Sequence, residues 1–308
     1  MRNTFIRTLE ALSRKDKRMV LLTPDMGFSV FEKFREEFPD RFFNTGVAEQ
    51  DTVGIAAGLA LSGKIVFTYS IAPFMIIRPL EQIRLDLCYQ NLPVKLVGAG
   101  GGLSYSSLGP SHHATEDIAF MRALPNMTIF CPGDPFECAH CVEAAYRLPG
   151  PCYIRLGRGG ADPVVHKASL RFEVGKGIVL KEGKDAVLIS TGNMLHVAVA
   201  AAEELARHNV SCGVVSMHTV KPLDDALVLR FVDEGKAIFT LEEHNVIGGL
   251  GSAVGEVIAE CGKKARFMRI GLPDSFCSEV GGQEHLRRFY GIDAMSVAAR
   301  IRQAVSLK

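Results

Sequence analysis

Glu49 is the residue of this sequence whose surroundings most clearly suggest chemistry. It opens a predicted helix at 49–62 that is rich in small residues, namely Gly54, Ala56, Ala57, Gly58 and Ala60. Each glycine costs a helix roughly 1 kcal/mol relative to alanine, so a helix that only faces water gains little from them. At the surface, Glu49 would favour the helix dipole by about 0.3–1 kcal/mol. If it is buried, its carboxylate needs a partner that takes its proton or its charge.

Four residues of metal-ligating type form a second group: Cys131, Cys138, His140 and Cys141. Cys138 and Cys141 have zinc-like spacing, but no second pair matches them. They also fall within a predicted helix, where a separation of three residues puts both on the face toward the core. The sequence therefore predicts no metal site in this chain.

The elements that must position these residues alternate between strands and helices. Strands are predicted in the first half at 18–23, 64–69, 94–99, 127–132 and 152–157, with helices at 49–62, 77–90, 115–124 and 134–147. The alternation resumes with strands at 185–191, 212–218, 236–242 and 265–271, and helices at 194–207 and 251–261. Such alternation is typical of mostly parallel sheets covered by helices on both faces.

The fold class is therefore α/β, with two consecutive domains. Segment 158–177 interrupts the alternation with Gly, Pro and charged residues, which is typical of a linker. We place the first domain at 1–165, the linker at 166–176 and the second domain at 177–308.

Composition excludes several classes of protein. The 308 residues are 47% hydrophobic and 22% charged, with a net charge of +1, so nothing favours nucleic acid or an anionic membrane as a partner. The N-terminal segment 1–19 reads as an amphipathic helix without the apolar run of a signal peptide. No run approaches the roughly 18 apolar residues of a membrane span. The eight scattered cysteines favour reduced thiols and a cytoplasmic protein.

Several ordered motifs resemble one family of enzymes. The segments are NTGVAEQDTVGIAAGLALSG at 44–63, TPDMGFS at 23–29, YSIAPFMIIRPLEQIR at 69–84, LGPSHHATEDIAFMRALPNM at 108–127 and GPCYIRLGRGG at 150–160. They are similar to the pyrimidine-binding domain of transketolases, which depend on thiamine diphosphate. KPLD at 221–224 and EEHNVIGGLGSAVGE at 242–256 resemble the C-terminal domain of the same enzymes. The resemblance covers nearly the whole chain.

The resemblance implies roles for particular residues. Glu49 matches the acid that hydrogen-bonds the cofactor's aminopyrimidine ring and so activates the cofactor. Further cofactor contacts are implied for Phe74, Ile71, Asp25 and Tyr69. His112 matches a catalytic histidine that contacts substrate oxygens. Arg158, Ser29 and Arg2 match positions that bind the sugar phosphate in the family, and arginine offers paired donors suited to that group.

The sequence departs from the family pattern at three places. Leu108 stands where transketolases commonly have an Asp that accepts a hydrogen bond from a substrate hydroxyl, which leucine cannot do. His113 replaces the usual Gln, and a simple loop hydrogen bond is as good an interpretation as a site role. The Gly-Asp-Gly motif that holds Mg²⁺ and the diphosphate in this family does not occur in the chain.

These features predict the C-terminal subunit of a split transketolase. The diphosphate and Mg²⁺ would be bound mainly by a partner subunit, in an α2β2 assembly that transfers a two-carbon ketol unit between sugars. Alternatives are the β subunit of a 2-oxo acid dehydrogenase, a deoxyxylulose phosphate synthase-like enzyme, and a noncatalytic scaffold subunit. The sequence leaves the donor and acceptor sugars open.

Overall fold

The structure, a computed structural model, describes residues 1–27, 29–159, 162–166 and 170–306. In the first half the elements are α1 Arg2–Lys15, β1 Met19–Thr23, α2 Glu32–Glu37, β2 Phe42–Asn44, α3 Glu49–Leu61, β3 Ile65–Ile71, α4 Ala72–Ile76, α5 Leu80–Gln82, a π-helical segment Ile83–Tyr89, β4 Val94–Ala99, α6 Asp117–Ala123, β5 Thr128–Phe130, α7 Pro135–Arg147 and β6 Cys152–Leu156. In the second half they are β7 Ile178–Lys181, β8 Ala186–Ser190, α8 Leu195–Arg207, β9 Cys212–Ser216, β10 Thr219–Lys221, α9 Asp225–Asp233, β11 Ala237–Asn245, α10 Leu250–Glu260, β12 Phe267–Leu272, α11 Gln283–Phe289 and α12 Ala294–Ser306. Short 3-10 turns lie at Pro39–Arg41, Ser106–Leu108 and Gly192–Met194.

Two sheets organise the chain, and both are mostly parallel. The first has seven strands in the order β10-β5-β6-β4-β3-β1-β2, with only the β10–β5 pair antiparallel. The second has five strands in the order β12-β11-β8-β9-β7, with only the β7–β9 pair antiparallel. This confirms the predicted α/β class with two mostly parallel sheets.

Helices cover both faces of the first sheet. Val53 of α3 packs with Val66 of β3 on one face, whereas Phe5 of α1 packs with Phe67 of β3 on the other. Successive strand residues point to opposite faces, which explains how neighbouring residues of β3 belong to different cores. The carboxyl ends of β1, β3, β4 and β6 meet at one edge, where ligands bind in open α/β sheets.

The sequence missed three strands and five helices, the helices being α2, α4, α9, α11 and α12, and it misplaced the start of one further helix. The missed strands, β2, β7 and β10, have three or four residues each and lie at sheet edges, so they are too short to show a periodic pattern. The helix predicted at 77–90 begins later, at Leu80, and continues as the π-helical segment Ile83–Tyr89, because Pro79 has no backbone N–H to continue a helix from α4.

The two halves of the chain share a sheet. Strand β10 comes from the second half of the sequence, yet it pairs with β5 at the edge of the first sheet. The domain limits 1–165, 166–176 and 177–308 stay a prediction, and part of the linker lies outside the described residues. None of the described helices is long and apolar enough to cross a membrane.

Candidate active site

Glu49 lies at the first position of α3, just after the end of β2. Its side chain is buried, with 5% of the residue's surface exposed. One carboxylate oxygen, Oε1, accepts a hydrogen bond from Nη1 of Arg78 at 2.8 Å. The remaining opening beside Glu49 is lined by Val47, Gln50 and Arg78, among others. Glu49 is thus a shielded acid at the mouth of a cleft.

Helix α3 is packed on one side only. Its buried side includes Val53 and Ala56, which belong to the core beneath the sheet. On its outward side, a side chain added at Gly54 or Gly58 would meet no atom within 4 Å. The packing of the described chain therefore does not explain why these two positions are glycine.

A row of stacked side chains begins at Glu49 and runs along the carboxyl edge of the sheet. The guanidinium carbon of Arg78 lies 3.9 Å from the ring centroid of Phe74, which is a cation–π contact. The Phe74 ring meets the His112 ring edge-on, with 5.1 Å between centroids. The structure therefore brings together three predicted site residues, Glu49, Phe74 and His112, from segments far apart in sequence.

Tyr105 extends this row to Arg158. Its ring centroid lies 6.0 Å from that of His112 and 4.7 Å from the guanidinium carbon of Arg158. Gly100, with φ of +81°, leaves the space that the Tyr105 ring occupies, since a Cβ at that glycine would collide with it. Burial raises the pKa of Tyr105, and the positive charges of Arg158 and Arg2 partly offset this.

Arg78 and Tyr105 are the two members of the row that sequence reasoning missed. The signal that could have identified Arg78 is its spacing of four residues, about one helical turn, from Phe74 within segment 69–84. Tyr105 lies in a glycine-rich loop after β4, where no periodic pattern marks it.

His112 is held in the loop that follows β4. Its Nδ1 is 3.0 Å from the hydroxyl of Ser111, which leaves Nε2 as the nitrogen that can face a substrate. Partial burial lowers the pKa of His112, and the charges of Arg78, His113 and Arg158 lower it further. A neutral imidazole is therefore favoured, and it can either donate or accept one hydrogen bond at Nε2.

His113 has a different position. It is buried, and its Nε2 lies 3.1 Å from the backbone oxygen of Ser106 within the same loop. Of the two interpretations that the sequence left open for His113, a loop hydrogen bond and a role in the site, this contact corresponds to the loop hydrogen bond. Leu108 lies in the same loop and is 48% exposed.

The remaining predicted cofactor contacts are less closely grouped. Ile71 is buried at the end of β3 and precedes α4. The Tyr69 ring lies in the core on the opposite face from α3, stacked on Phe5 with 5.7 Å between centroids and edge-on to Phe31 at 4.9 Å. Tyr69 thus packs with core aromatics and not with the row of stacked side chains.

Asp25 and Ser29 lie in the loop after β1. Both have positive φ, at 53° and 58°, and both are exposed. Asp25 exchanges two hydrogen bonds with Asn44, at 3.0 and 3.1 Å. The backbone N–H of Ser29 donates to Glu32 at 2.6 Å, so its hydroxyl is not the group that fixes this turn.

Buried ion pairs hold the His112 loop in place. Asp117 accepts hydrogen bonds from the Tyr153 hydroxyl at 2.6 Å and from Nε of Arg155 at 2.8 Å. Nη2 of Arg155 then donates to the backbone oxygens of Ala114 at 2.8 Å and Glu243 at 3.0 Å. Because the side chains of Asp117, Tyr153 and Arg155 are all buried, these contacts anchor the loop to both halves of the chain.

The carboxylate of Glu243 supports the loop from the second half. It accepts hydrogen bonds from Nε of Arg287 at 2.7 Å, from Asn193 at 2.8 Å and from the backbone N–H of Leu103 at 3.2 Å. Leu103 lies two residues before Tyr105. The second half therefore positions the loop that carries Tyr105 and His112, although it contributes no side chain to the row.

Comparison with known proteins gives the family. Residues 1–162 match the family described as transketolase, pyrimidine binding domain, and residues 175–297 match transketolase, C-terminal domain. This chain belongs to the transketolase family. An apulose-4-phosphate transketolase subunit from Actinobacillus succinogenes is 40% identical over 264 residues, covering 86% of the chain and 85% of the relative.

Two further comparisons bear on the type of transketolase. A solved structure described as a split gene transketolase, inactive beta4 tetramer, is 40% identical, with a TM-score of 0.89 over 100% of this chain and 98% of that chain. The 1-deoxy-D-xylulose-5-phosphate synthase of Syntrophus aciditrophicus is 36% identical, covering 98% of the chain but 47% of the relative. The resemblance to transketolases seen in the sequence is confirmed.

The pyrimidine half of thiamine diphosphate, on which the family depends, fits the geometry at Glu49. Its ring requires a carboxylate that accepts a hydrogen bond and an aromatic face for stacking. Glu49 already accepts a hydrogen bond from the planar guanidinium of Arg78, and the Phe74 ring already stacks on the same guanidinium. Within the described ranges, no group of three or more His, Cys, Asp or Glu residues is placed to hold a metal ion.

The cysteines considered for zinc are buried thiols. Burial raises the pKa of Cys131 and Cys138 to about 12, and it raises that of Cys141 well above its usual range. Zinc binds the thiolate form, which burial disfavours here.

Proposed function

We propose that this chain is the pyrimidine-binding subunit of a split, thiamine diphosphate-dependent transketolase that acts on phosphorylated sugars. The observation that supports this best is the continuous row from Glu49 through Phe74 and His112 to Arg158. Such a row has an acid and a stacking ring for the cofactor at one end and a cation for a phosphate at the other.

The proposed reaction moves a two-carbon ketol unit. The bond between C2 and C3 of the donor ketose breaks, and a new bond forms between that C2 and the aldehyde carbon of the acceptor. The C3 hydroxyl of the donor loses its proton as its aldehyde forms, and the former aldehyde oxygen of the acceptor gains one. When bound, the cofactor supplies the nucleophile and the electron sink for this exchange.

The residues of this chain would bind substrate and cofactor and move protons. Glu49 would hold the pyrimidine ring through its carboxylate, and Phe74 would stack against that ring. Nε2 of His112 would exchange a proton with the substrate hydroxyl or carbonyl oxygen, which suits a neutral imidazole. Arg158, fixed over Tyr105, would bind the substrate phosphate, with Arg2 contributing nearby charge.

Leu108, Ser29 and Asp25 complete the proposed substrate side. Leu108 cannot accept a hydrogen bond, so a substrate hydroxyl at that position would be read by another group or be absent. Asp25 and Ser29 would contribute polar contacts from the loop after β1. Tyr69 and Ile71 would support the site from the core, because neither is exposed.

A partner subunit is part of the proposal. It would carry the diphosphate-binding domain and Mg²⁺, in an α2β2 assembly. The outward side of α3, with Gly54, Ile55, Gly58 and Leu61, would pack against a second copy of this chain, since glycines permit close approach and both hydrophobic residues are exposed. Eight free cysteines favour the cytoplasm.

A deoxyxylulose phosphate synthase-type reaction is the second candidate, because the chain is 36% identical to such an enzyme over nearly its full length. Both reactions would use Glu49 and Phe74 in the same way. They differ in the donor, which is a ketose in one case and a 2-oxo acid in the other. An assay that offers each donor with the same aldehyde acceptor distinguishes the two candidates.

The test of the proposed function is reconstitution with the partner subunit. The isolated chain should show no ketol transfer, and the mixture should show it. Glu49→Gln in the mixture should abolish turnover, because an amide cannot exchange the proton that a carboxylate exchanges. Glu36→Gln, on the exposed side of α2, is the matched control and should retain activity. Turnover by the isolated chain would remove the split-subunit proposal, and near-normal turnover by Glu49→Gln would remove Glu49 from its role.

A further inference from the structure

Arg78 occupies an unusual position for an arginine whose side chain is 45% exposed. Its Nη1 donates to Oε1 of Glu49 at 2.8 Å, while its guanidinium carbon lies 3.9 Å from the Phe74 ring centroid. The backbone oxygen of Arg78 accepts a hydrogen bond from Gln50 of α3 at 3.2 Å. The backbone is therefore fixed to α3, and only the side chain is placed to move.

The two contacts of Arg78 are those that the proposed function assigns to the cofactor ring. A planar group that both hydrogen-bonds Glu49 and stacks on Phe74 must take the volume that the guanidinium fills. Two planar groups cannot share that volume, so one must leave before the other enters. The exposed part of the Arg78 side chain gives it a route toward solvent.

We infer that, in the empty site, the guanidinium of Arg78 occupies the position that the pyrimidine ring takes when the cofactor binds. While the site is empty, its guanidinium compensates the shielded charge of Glu49 and covers the Phe74 face. When the cofactor ring binds, the guanidinium gives up both contacts. This inference rests on the proposed function, because it assigns the ring position from Glu49 and Phe74.

Arg78 should therefore weaken cofactor binding. Its half-exposed ion pair and its cation–π contact stabilise only the empty form, and binding must break them. Removing the side chain should therefore tighten binding by about 5- to 30-fold. The same contacts stabilise the empty protein, so their removal should lower its unfolding temperature.

The experiment measures binding of thiamine diphosphate with Mg²⁺ by titration calorimetry on the reconstituted complex. Wild type is compared with Arg78→Ala and with Arg84→Ala. Arg84 is an exposed arginine six residues further on, and within the described residues it forms no ion pair. It controls for the loss of one positive charge near an anionic ligand. Thermal unfolding of each cofactor-free protein is the second measurement.

Cofactor affinity and unfolding temperature together test the role of Arg78. Tighter binding and a lower unfolding temperature for Arg78→Ala, with neither change in Arg84→Ala, support the inference. Equal or weaker binding by Arg78→Ala overturns it and makes Arg78 a ligand or a structural residue, while the proposed function stands. If the wild-type complex does not bind thiamine diphosphate, the proposed function fails and the inference fails with it.

Discussion

Replacing Asp117 with alanine should destabilise the protein strongly. Asp117 is fully buried, and its Oδ2 accepts hydrogen bonds from Tyr153 at 2.6 Å and from Arg155 at 2.8 Å. The variant would leave the guanidinium of Arg155 buried without its anion and the Tyr153 hydroxyl without its acceptor. Removing one partner of a buried ion pair costs about 3–5 kcal/mol of stability. The lost hydrogen bond from Tyr153 belongs to the same network, so its cost does not simply add to that of the ion pair.

A loss of about 3–5 kcal/mol is a large share of the 5–15 kcal/mol that stabilises a typical domain. The assay is urea unfolding of the isolated chain, followed by far-ultraviolet circular dichroism. Asp40→Ala is the matched control, because Asp40 is exposed and its loss should change stability by less than about 0.5 kcal/mol.

The same variant should loosen the His112 loop. Arg155 loses the anion that orients it toward the backbone oxygen of Ala114, which is 2.8 Å away. Amide hydrogen exchange in segment 106–115 should therefore become faster in Asp117→Ala than in Asp40→Ala. A destabilisation by Asp117→Ala below about 1 kcal/mol, the low end of an unsatisfied buried group, would show that this pair does not anchor the loop.

Two further predictions concern substrate charge and pH. Arg158→Ala should raise the KM for phosphorylated sugars about tenfold to a hundredfold more than that for unphosphorylated sugars, because one charge-assisted contact is lost; equal losses in steady-state kinetics would make Arg158 structural. Burial, together with the charges of His166 and His140, lowers the pKa of His218 to about 3. Below pH 6.5 the unfolded chain therefore binds a proton at His218 that the folded chain does not bind. The stability associated with neutral His218 is complete above pH 6.5 and is lost as the pH falls toward 3. In that window the free energy of unfolding of wild type, measured by urea unfolding, should therefore fall by roughly 1.4 kcal/mol per pH unit relative to that of His218→Asn. The variant His208→Asn, at an exposed position, should follow wild type. Parallel curves of unfolding free energy against pH for all three proteins would contradict a lowered pKa at His218.

The local pattern was enough to predict most strands and helices. Strands β4 and β6 are mostly apolar and buried on both faces, with one buried basic residue each, Lys95 and Arg155, and such segments are recognisable without knowledge of their neighbours. Strand β10 could not be predicted in the same way. Its three residues become a strand only because β5 offers them an open sheet edge.

For the candidate site, the sequence by itself determined residue types and their order along the chain. The motif around Glu49 and the loop that carries His112 were sufficient to identify the family, because each motif is continuous in sequence. Only the tertiary structure decided which side chains meet. Arg78 contacts both Glu49 and Phe74, and Tyr105 lies between His112 and Arg158, because parallel strands bring loops from distant segments to one edge. Such contacts depend on sheet order and on loop anchoring by Asp117 and Arg155, and neither is encoded in a local pattern.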